Sequence, residues 1–451
     1  MSKTFKALGG LAATLAAMSL MGTPAMATDG YFAHGFGARH KALGGAGVAD
    51  STDSTASALN PAGLVHLKRD EYTSAVTAFS PRRKYSASGT TSVAPFGGSG
   101  TIDSNKNWFA IPNLAYAHLL HDNPYIDVIG FTVYGNGGMN TQYPASAGGV
   151  GVFGGGQAGV NLEQAIISLA FAKKIGNFSF GLAPAIVRQK FRATGIASFG
   201  ANGLSVGPKG TIDRGDDVSW GYGLRYGVEW TPMSNVRIGV AGNTRFQVSN
   251  FERYAGLFAQ QGGFDIPASI QAGIAVDVMP NLTFMLDYKH IWYGDIAAIS
   301  NPSHNIVACA AAVFAGGSSP KCLGGENGAG FGWQDVDVIK VGAEWEALNW
   351  LTLRAGYSYT TQPIRGKDVT FNILAPGVVQ SHFTGGAEVK LNDNWSVELE
   401  GMYAPEVSVT GPDVFNGLPF CVGAKGRTPC NGTETISMYQ YEITAGIKYK
   451  F

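Results

Sequence analysis

The last thirteen residues limit the fold more than any other stretch of this chain. From Tyr439 to Phe451 the odd positions are Tyr439, Tyr441, Ile443, Ala445, Ile447, Tyr449 and Phe451, and the even ones are Gln440, Glu442, Thr444, Gly446, Lys448 and Lys450. Such alternation puts the apolar side chains on one face of a β-strand and the polar or small ones on the other. A soluble strand usually runs ~5–6 residues, whereas a tilted strand needs ~9–11 to cross a bilayer. A two-faced strand of this length with aromatic ends predicts a transmembrane β-barrel, in which lipid-facing and lumen-facing positions alternate.

The same period recurs upstream. Trp220, Tyr222, Leu224, Tyr226, Val228 and Trp230 alternate with Gly221, Gly223, Arg225, Gly227 and Glu229, and residues 351–360 and 395–403 repeat the pattern. Fourteen such segments can be counted, near 71–80, 107–121, 125–136, 161–174, 176–192, 216–231, 235–248, 267–279, 281–295, 333–346, 350–361, 380–391, 394–406 and 438–451. Short turns such as Asp122-Asn123-Pro124 and Asn392-Asp393 alternate with long loops over 81–106, 137–160, 193–215, 249–266, 296–332, 362–379 and 407–437. That asymmetry is expected of outer-membrane barrels, with short periplasmic turns and long external loops. Composition agrees. Charged residues are 14%, against ~25% in an average soluble chain, while Gly reaches 63 and Phe, Tyr and Trp number 25, 18 and 8. A secreted soluble β-protein could share this composition, but not the strand lengths.

The N-terminus supplies the address. Lys3 and Lys6 precede an apolar run from Ala7 to Met21, and Pro24-Ala25-Met26-Ala27 ends in a small-x-small pattern, so residues 1–27 read as a secretory signal peptide. The mature chain is then close to electroneutral, which gives no footprint for nucleic acid. After the signal no run of 18 apolar residues occurs, which excludes a spanning helix. Residues 28–70 fit no strand and are rich in small residues; Asp53 or Ser54 could cap a helix that stops before Pro61. Their compact, apolar character favours a plug inside the barrel of residues 71–451 over a dangling tail.

The stretch Gly44-Gly45-Ala46-Gly47 followed by Asn60-Pro61-Ala62, with Ile111-Pro112-Asn113, Asn161-Leu162-Glu163, Trp220-Gly221-Tyr222 and Asn372-Ile373-Leu374-Ala375-Pro376, resembles the FadL family of outer-membrane transporters for long-chain fatty acids and aromatic hydrocarbons. The resemblance covers the mature chain. It implies a fourteen-stranded barrel, an N-terminal hatch carrying Asn60, Pro61 and Ala62, and passive movement of a hydrophobic ligand, without enzyme chemistry or cofactor. It also implies a lumenal pocket above the hatch and a lateral exit at a kink in the third strand. Here that strand runs into Gly135-Asn136-Gly137, which either bend it or begin an external loop. Long-chain fatty acids are the leading cargo expected, with aromatic or alkane hydrocarbons by the same route as the alternative and a general porin as the rival. The expected partners are the hydrophobic small molecule and outer-membrane lipid, around a monomeric barrel.

Three further groups stand out. Arg188, Lys190 and Arg192 share one face of the fifth strand with Phe178, Phe180 and Leu182. Cations facing lipid cost ~2–4 kcal/mol each near the midplane, so the row must point inward, with a register change near Pro184, or lie above the membrane. Inward, it could hold a carboxylate or pair with lumen acids. Arg225, Arg245, Lys289, Lys340 and Arg354 are further inward cations. Phe251, Tyr254 and Phe258, with Leu257 beside them, fall at helical spacing in an external loop and read as a ligand groove or as packing onto neighbouring loops. Cys309 and Cys322 share one loop and Cys421 and Cys430 another, so two local disulfides are expected in an oxidising setting. His34, His40, His66, His118 and His121 lack metal-ligand spacing, so no metal site is expected.

Overall fold

The computed structural model describes residues 29–89, 100–145, 152–153, 156–207, 214–418 and 430–451. Residues 1–27, expected as a signal peptide, and Cys421 lie outside the described residues. Fourteen long antiparallel strands form the wall: β1 (Glu71–Ser88), β2 (Phe109–Leu119), β3 (Val128–Asn140), β4 (Gly159–Ile175), β5 (Phe178–Thr194), β6 (Asp217–Met233), β7 (Val236–Asn243), β8 (Ser269–Met279), β9 (Leu282–Ile291), β10 (Val336–Leu348), β11 (Leu351–Thr360), β12 (Ser381–Lys390), β13 (Trp395–Pro412) and β14 (Thr433–Lys450). Each pairs with its sequence neighbour, and β14 closes on β1 from Glu71↔Lys450 to Ser88↔Thr433. Two short pieces, Gly100–Asp103 and Gln247–Val248, add to the outer ends of β1 and β6.

Closure follows from the solvent. A strand edge in hydrocarbon would leave unpaired N–H and C=O groups, and a closed barrel has no edge. The two faces follow the sequence period. On β14, Tyr441, Ile443 and Ile447 are exposed outward while Gln440, Glu442, Thr444 and Lys448 are buried inward. Trp220, Trp230, Trp345 and Trp395 also stand on the outer face. Among the described residues no helix is long and apolar enough to cross a membrane.

The strand count agrees with the sequence; several bounds do not. β1 continues to Ser88, and β13 and β14 extend to Pro412 and back to Thr433, so segments expected as loops stand as paired wall. β7 stops at Asn243, and Arg245, expected to face inward, lies beyond it and pairs with Asp265 at 2.6 Å.

Ala445 sits between Val76 and Leu399 on the outer face. Ala445→Arg is expected to lose about 2–4 kcal/mol of stability in lipid vesicles, measured by denaturant unfolding, whereas Ala445→Leu stays within experimental error of the parent. Equal stability for Arg and Leu would contradict this assignment of faces.

Candidate functional site

The N-terminal segment, residues 29–70, lies inside the wall. It contains one short helix, α1 (Gly37–Ala42), and two 3-10 turns, Ser54–Ala58 and Pro61–His66. Asp53 caps the first turn, its carboxylate accepting from Thr55 N at 2.9 Å, and Asn60 caps the second, accepting from Ala62 N at 3.1 Å. The segment touches β1 to β6 through the turns and β11 to β14 through α1, and its 43–50 loop reaches β7 to β10.

Two devices hold it there. The first is charge. Arg39 pairs with Asp50 at 2.6 Å and with Glu344 of β10 at 2.9 Å, and Lys41 with Glu442 of β14 at 2.6 Å. Asp29 lies 3.1 Å from both Lys289 of β9 and Lys340 of β10. Burial alone would raise the Asp29 carboxyl, but Lys340 and Lys289 outweigh it and hold it well below the usual carboxylate range. Asp287 of β9 accepts from Gly47 N and Val48 N, both at 2.9 Å. Buried pairs like these add little net stability over apolar packing, yet removing one partner costs ~3–5 kcal/mol, so they fix position. Arg354, expected to face inward, does so and binds Glu344, Glu388 and Glu398.

The second device is glycine. Gly181 and Gly227 face each other across β5 and β6. A Cβ on Gly227 would run into Asn60 Oδ1, and one on Gly181 into the backbone of Pro61 and Ala62. The Asn60-Pro61-Ala62 corner therefore seats on bare backbone. Within the segment, Gly45 has φ +77 and carries no Cβ where His34 O and Lys340 Nζ crowd it. The alternation along β6 already sets Gly221, Gly223 and Gly227 on its inward face, and that parity was the signal that could have marked this seat.

On β3 the strand does not end at Gly135. It bulges between Gly135 and Gly137 and continues beside β4 to Asn140. Its ladder with β2, however, stops at Asn113↔Tyr134. Beyond that point the N-terminal segment supplies partners instead: Ala33 N donates to Asn136 O at 2.9 Å, and Gly138 N donates to Tyr31 O at 3.3 Å. The glycines therefore shape a bulge where the β2–β3 seam opens, and they do not begin a loop.

Above the segment the external loops enclose an apolar cavity of about 50 Å³. Phe153, Val160, Phe191, Ile196, Phe199, Leu257, Phe258, Ala298, Leu323, Ala329, Gly330, Phe331, Phe371 and Leu374 line it, and among the described residues no charged group does. Cys309–Cys322 form a disulfide that ties the helix Asn305–Phe314 to the Leu323 side of the cavity; of the second expected pair, Cys421 is outside the described residues. Aromatic rings lead downward, Phe258 to Phe264 at 4.7 Å and Phe264 to Tyr31 at 6.4 Å, and Tyr31 meets the β3 bulge.

Two expectations are corrected. Phe251, Tyr254, Leu257 and Phe258 do not share a helix; a 3-10 turn at Glu252–Tyr254 is followed by a sharp turn with Gln260 and Gln261 at positive φ. Phe251, Tyr254 and Phe258 are buried against Phe191, because rings of this size gain more from packing with one another than from water. Arg188, Lys190 and Arg192 do not enter the lumen. β5 keeps one alternation through Pro184, with Ser179, Gly181, Ala183, Ala185, Val187 and Gln189 inward, so the cations stay on the outer face at the strand's external end. There Arg188 lies over the Trp220 ring, and Lys190 and Arg192 pair with Glu163 and Asp216. Sequence reasoning missed Phe153, Phe199, Phe331 and Phe371, which come from four separate loops and carry no common period.

A closed lipid-facing barrel with its own N-terminal segment across the lumen and an apolar cavity under its external loops is an outer-membrane transport barrel. The chain belongs to the outer membrane protein transport protein family (OMPP1/FadL/TodX), whose sequence profile matches residues 24–399. This is a family of transport channels, not of enzymes. Its fold is similar to the Pseudomonas putida toluene transporter TodX (17% identity over 94% of this chain and 100% of that one, TM-score 0.64) and the Ralstonia pickettii toluene transporter TbuX (15%, 93% and 99%, TM-score 0.61). A Pseudomonas aeruginosa FadL homologue is comparable (14%, 94% and 100%, TM-score 0.63). No curated protein matches the sequence.

Gly227→Val is expected to leave the barrel assembled while unseating Asn60, at a packing cost of about 1–3 kcal/mol. Limited proteolysis from the periplasmic side should then cut within residues 29–66, where the parent resists. Resistance equal to the parent's would show that the glycine seat does not hold the segment.

Proposed function

We propose that this outer-membrane channel admits uncharged hydrophobic molecules of the aromatic-hydrocarbon class, by diffusion, and that residues 29–70 act as its plug. The observation that carries the reading is the cavity lining, which among the described residues has six phenylalanines and no cation. A carboxylate moved into such a site without a partner would face a large desolvation cost, whereas an aromatic hydrocarbon loses nothing polar. The cations that could have held a fatty-acid carboxylate, Arg188, Lys190 and Arg192, are on the outer face, and Lys190 and Arg192 are paired with acids there. The solved toluene transporters of the same fold support this cargo over fatty acids.

The route follows the rings. Ligand entering between the loops meets Phe258 and Leu257, and passes Phe264 to reach Tyr31. A volume of about 50 Å³ is well below the ~150 Å³ of an apolar cavity that takes up benzene, so the loops must part to admit cargo. Below, the unpaired seam between β2 and β3 at Asn136 and Gly137 offers an exit into the membrane once the contacts of Tyr31 and Ala33 release. No step requires energy beyond the ligand's own gradient.

Uptake of labelled toluene and labelled oleate into cells lacking other such channels, at matched barrel levels, tests the reading. The parent should speed toluene entry and leave oleate at background. Phe258→Asp, which places a carboxylate in the cavity wall, should reduce toluene entry on the order of a hundredfold. Oleate entry accelerated without toluene would overturn the hydrocarbon reading, and faster entry of small sugars would indicate a porin.

A further inference from the structure

Where the N-terminal segment passes β13 and β14, three buried side chains converge with too few partners. His34, Glu400 and Glu442 are at most 2% exposed. One ring nitrogen of His34 and one oxygen from each carboxylate lie within 4.8 Å of one another. Lys41 Nζ donates to Glu442 Oε1 at 2.6 Å. Among the described residues Glu442 Oε2 and both ring nitrogens of His34 have no hydrogen-bond partner, and Glu400 has only Thr444 of β14 beside it. Two neighbouring carboxylates thus share one ammonium, and buried charges are ordinarily paired or coordinate a metal.

We propose that His34, Glu400 and Glu442 form a divalent transition-metal site, best suited to Zn²⁺, that pins the N-terminal segment to the wall. One imidazole and two carboxylates make a three-ligand zinc set, with the fourth position left to water. Ca²⁺ and Mg²⁺ prefer about six or more oxygen ligands, which this site does not supply. Donors around Zn²⁺ stand ~2.0–2.2 Å from the ion, so the three side chains draw together on binding. Neither ring nitrogen of His34 is hydrogen-bonded to another described group, so one is free to ligate. Lys41 weakens attraction for a cation but engages only Oε1 of Glu442, and Oε2 stays available. His382 stacks on His34 at 6.1 Å and fixes the ring's plane. Because His34 belongs to the segment and the two glutamates to the wall, a bound ion bridges them at a point separate from the Arg39 and Asp29 pairs.

The test uses the full-length barrel purified in detergent, stripped with EDTA and dialysed against Zn²⁺, beside Glu400→Gln/Glu442→Gln and His34→Ala. Heat-dependent migration on gels verifies that each barrel is folded, and metal content and proteolysis of residues 29–66 are the readouts. The parent should retain one equivalent of Zn²⁺ more than the double variant. Affinity should fall roughly tenfold or more in His34→Ala, which loses one of three ligands. Zn²⁺ should slow proteolysis in the parent alone. Equal zinc content in all three proteins would mark adventitious binding at exposed histidines and overturn the proposal. It would also be overturned by a parent that binds no extra zinc while the double variant's segment resists protease better, which would identify a proton shared by the two carboxylates.

Discussion

Hydrocarbon offers no hydrogen bonds, and that constraint shapes every part of this structure. The wall satisfies it by closing β1 on β14 along eighteen paired positions. Closure at fourteen strands, in turn, leaves a lumen too wide for inward side chains alone to fill. The chain fills it with its own N-terminal segment. At one place the wall relaxes its own rule: the β2–β3 ladder ends at Asn113↔Tyr134, and backbone groups of Asn136 and Gly138 pair with Ala33 and Tyr31 instead. The segment therefore serves the lumen and the side wall together, and moving it would affect both.

How it is held bears on how it can move. A segment glued by apolar packing would lose its contacts gradually. Here buried pairs such as Arg39–Glu344 and Asp29–Lys340 accept little displacement, because an unpaired buried charge is expensive. Glycines at 181 and 227 add a close backbone fit. Both resist small displacements of the segment. At the bulge, Tyr31 accepts from Gly138 N, donates its own N–H to Tyr293 Oη at 3.2 Å and packs against Phe264, two residues from the Asp29 pairs.

The strands were legible because a period of two is local: Tyr441, Ile443 and Ile447 declare their face without reference to the rest of the chain. The parity of the Arg188 row left two placements, inward or above the membrane, and only the partners of β5 show that it is the outer face at the strand's external end. The strand crosses hydrocarbon lower down, and its external end meets Glu163 and Asp216. The bend at Gly135–Gly137 could be suspected but not separated from a loop, since only the partner strands show that pairing with β4 persists while pairing with β2 stops. The cavity and the His34 cluster were out of reach for a different reason. Their members come from elements far apart in sequence, and no spacing rule connects Phe153 with Phe371 or His34 with Glu400.

The central claim is that residues 29–63 close a lumen that the fourteen strands leave open. Ion conductance in planar bilayers addresses it without reference to any cargo, comparing the full-length protein with one lacking those residues. The account predicts that the full-length barrel is nearly silent and that the shortened one carries a steady current, of a size set by the fourteen-strand lumen. Equal conductance from both, whether high or absent, would contradict it.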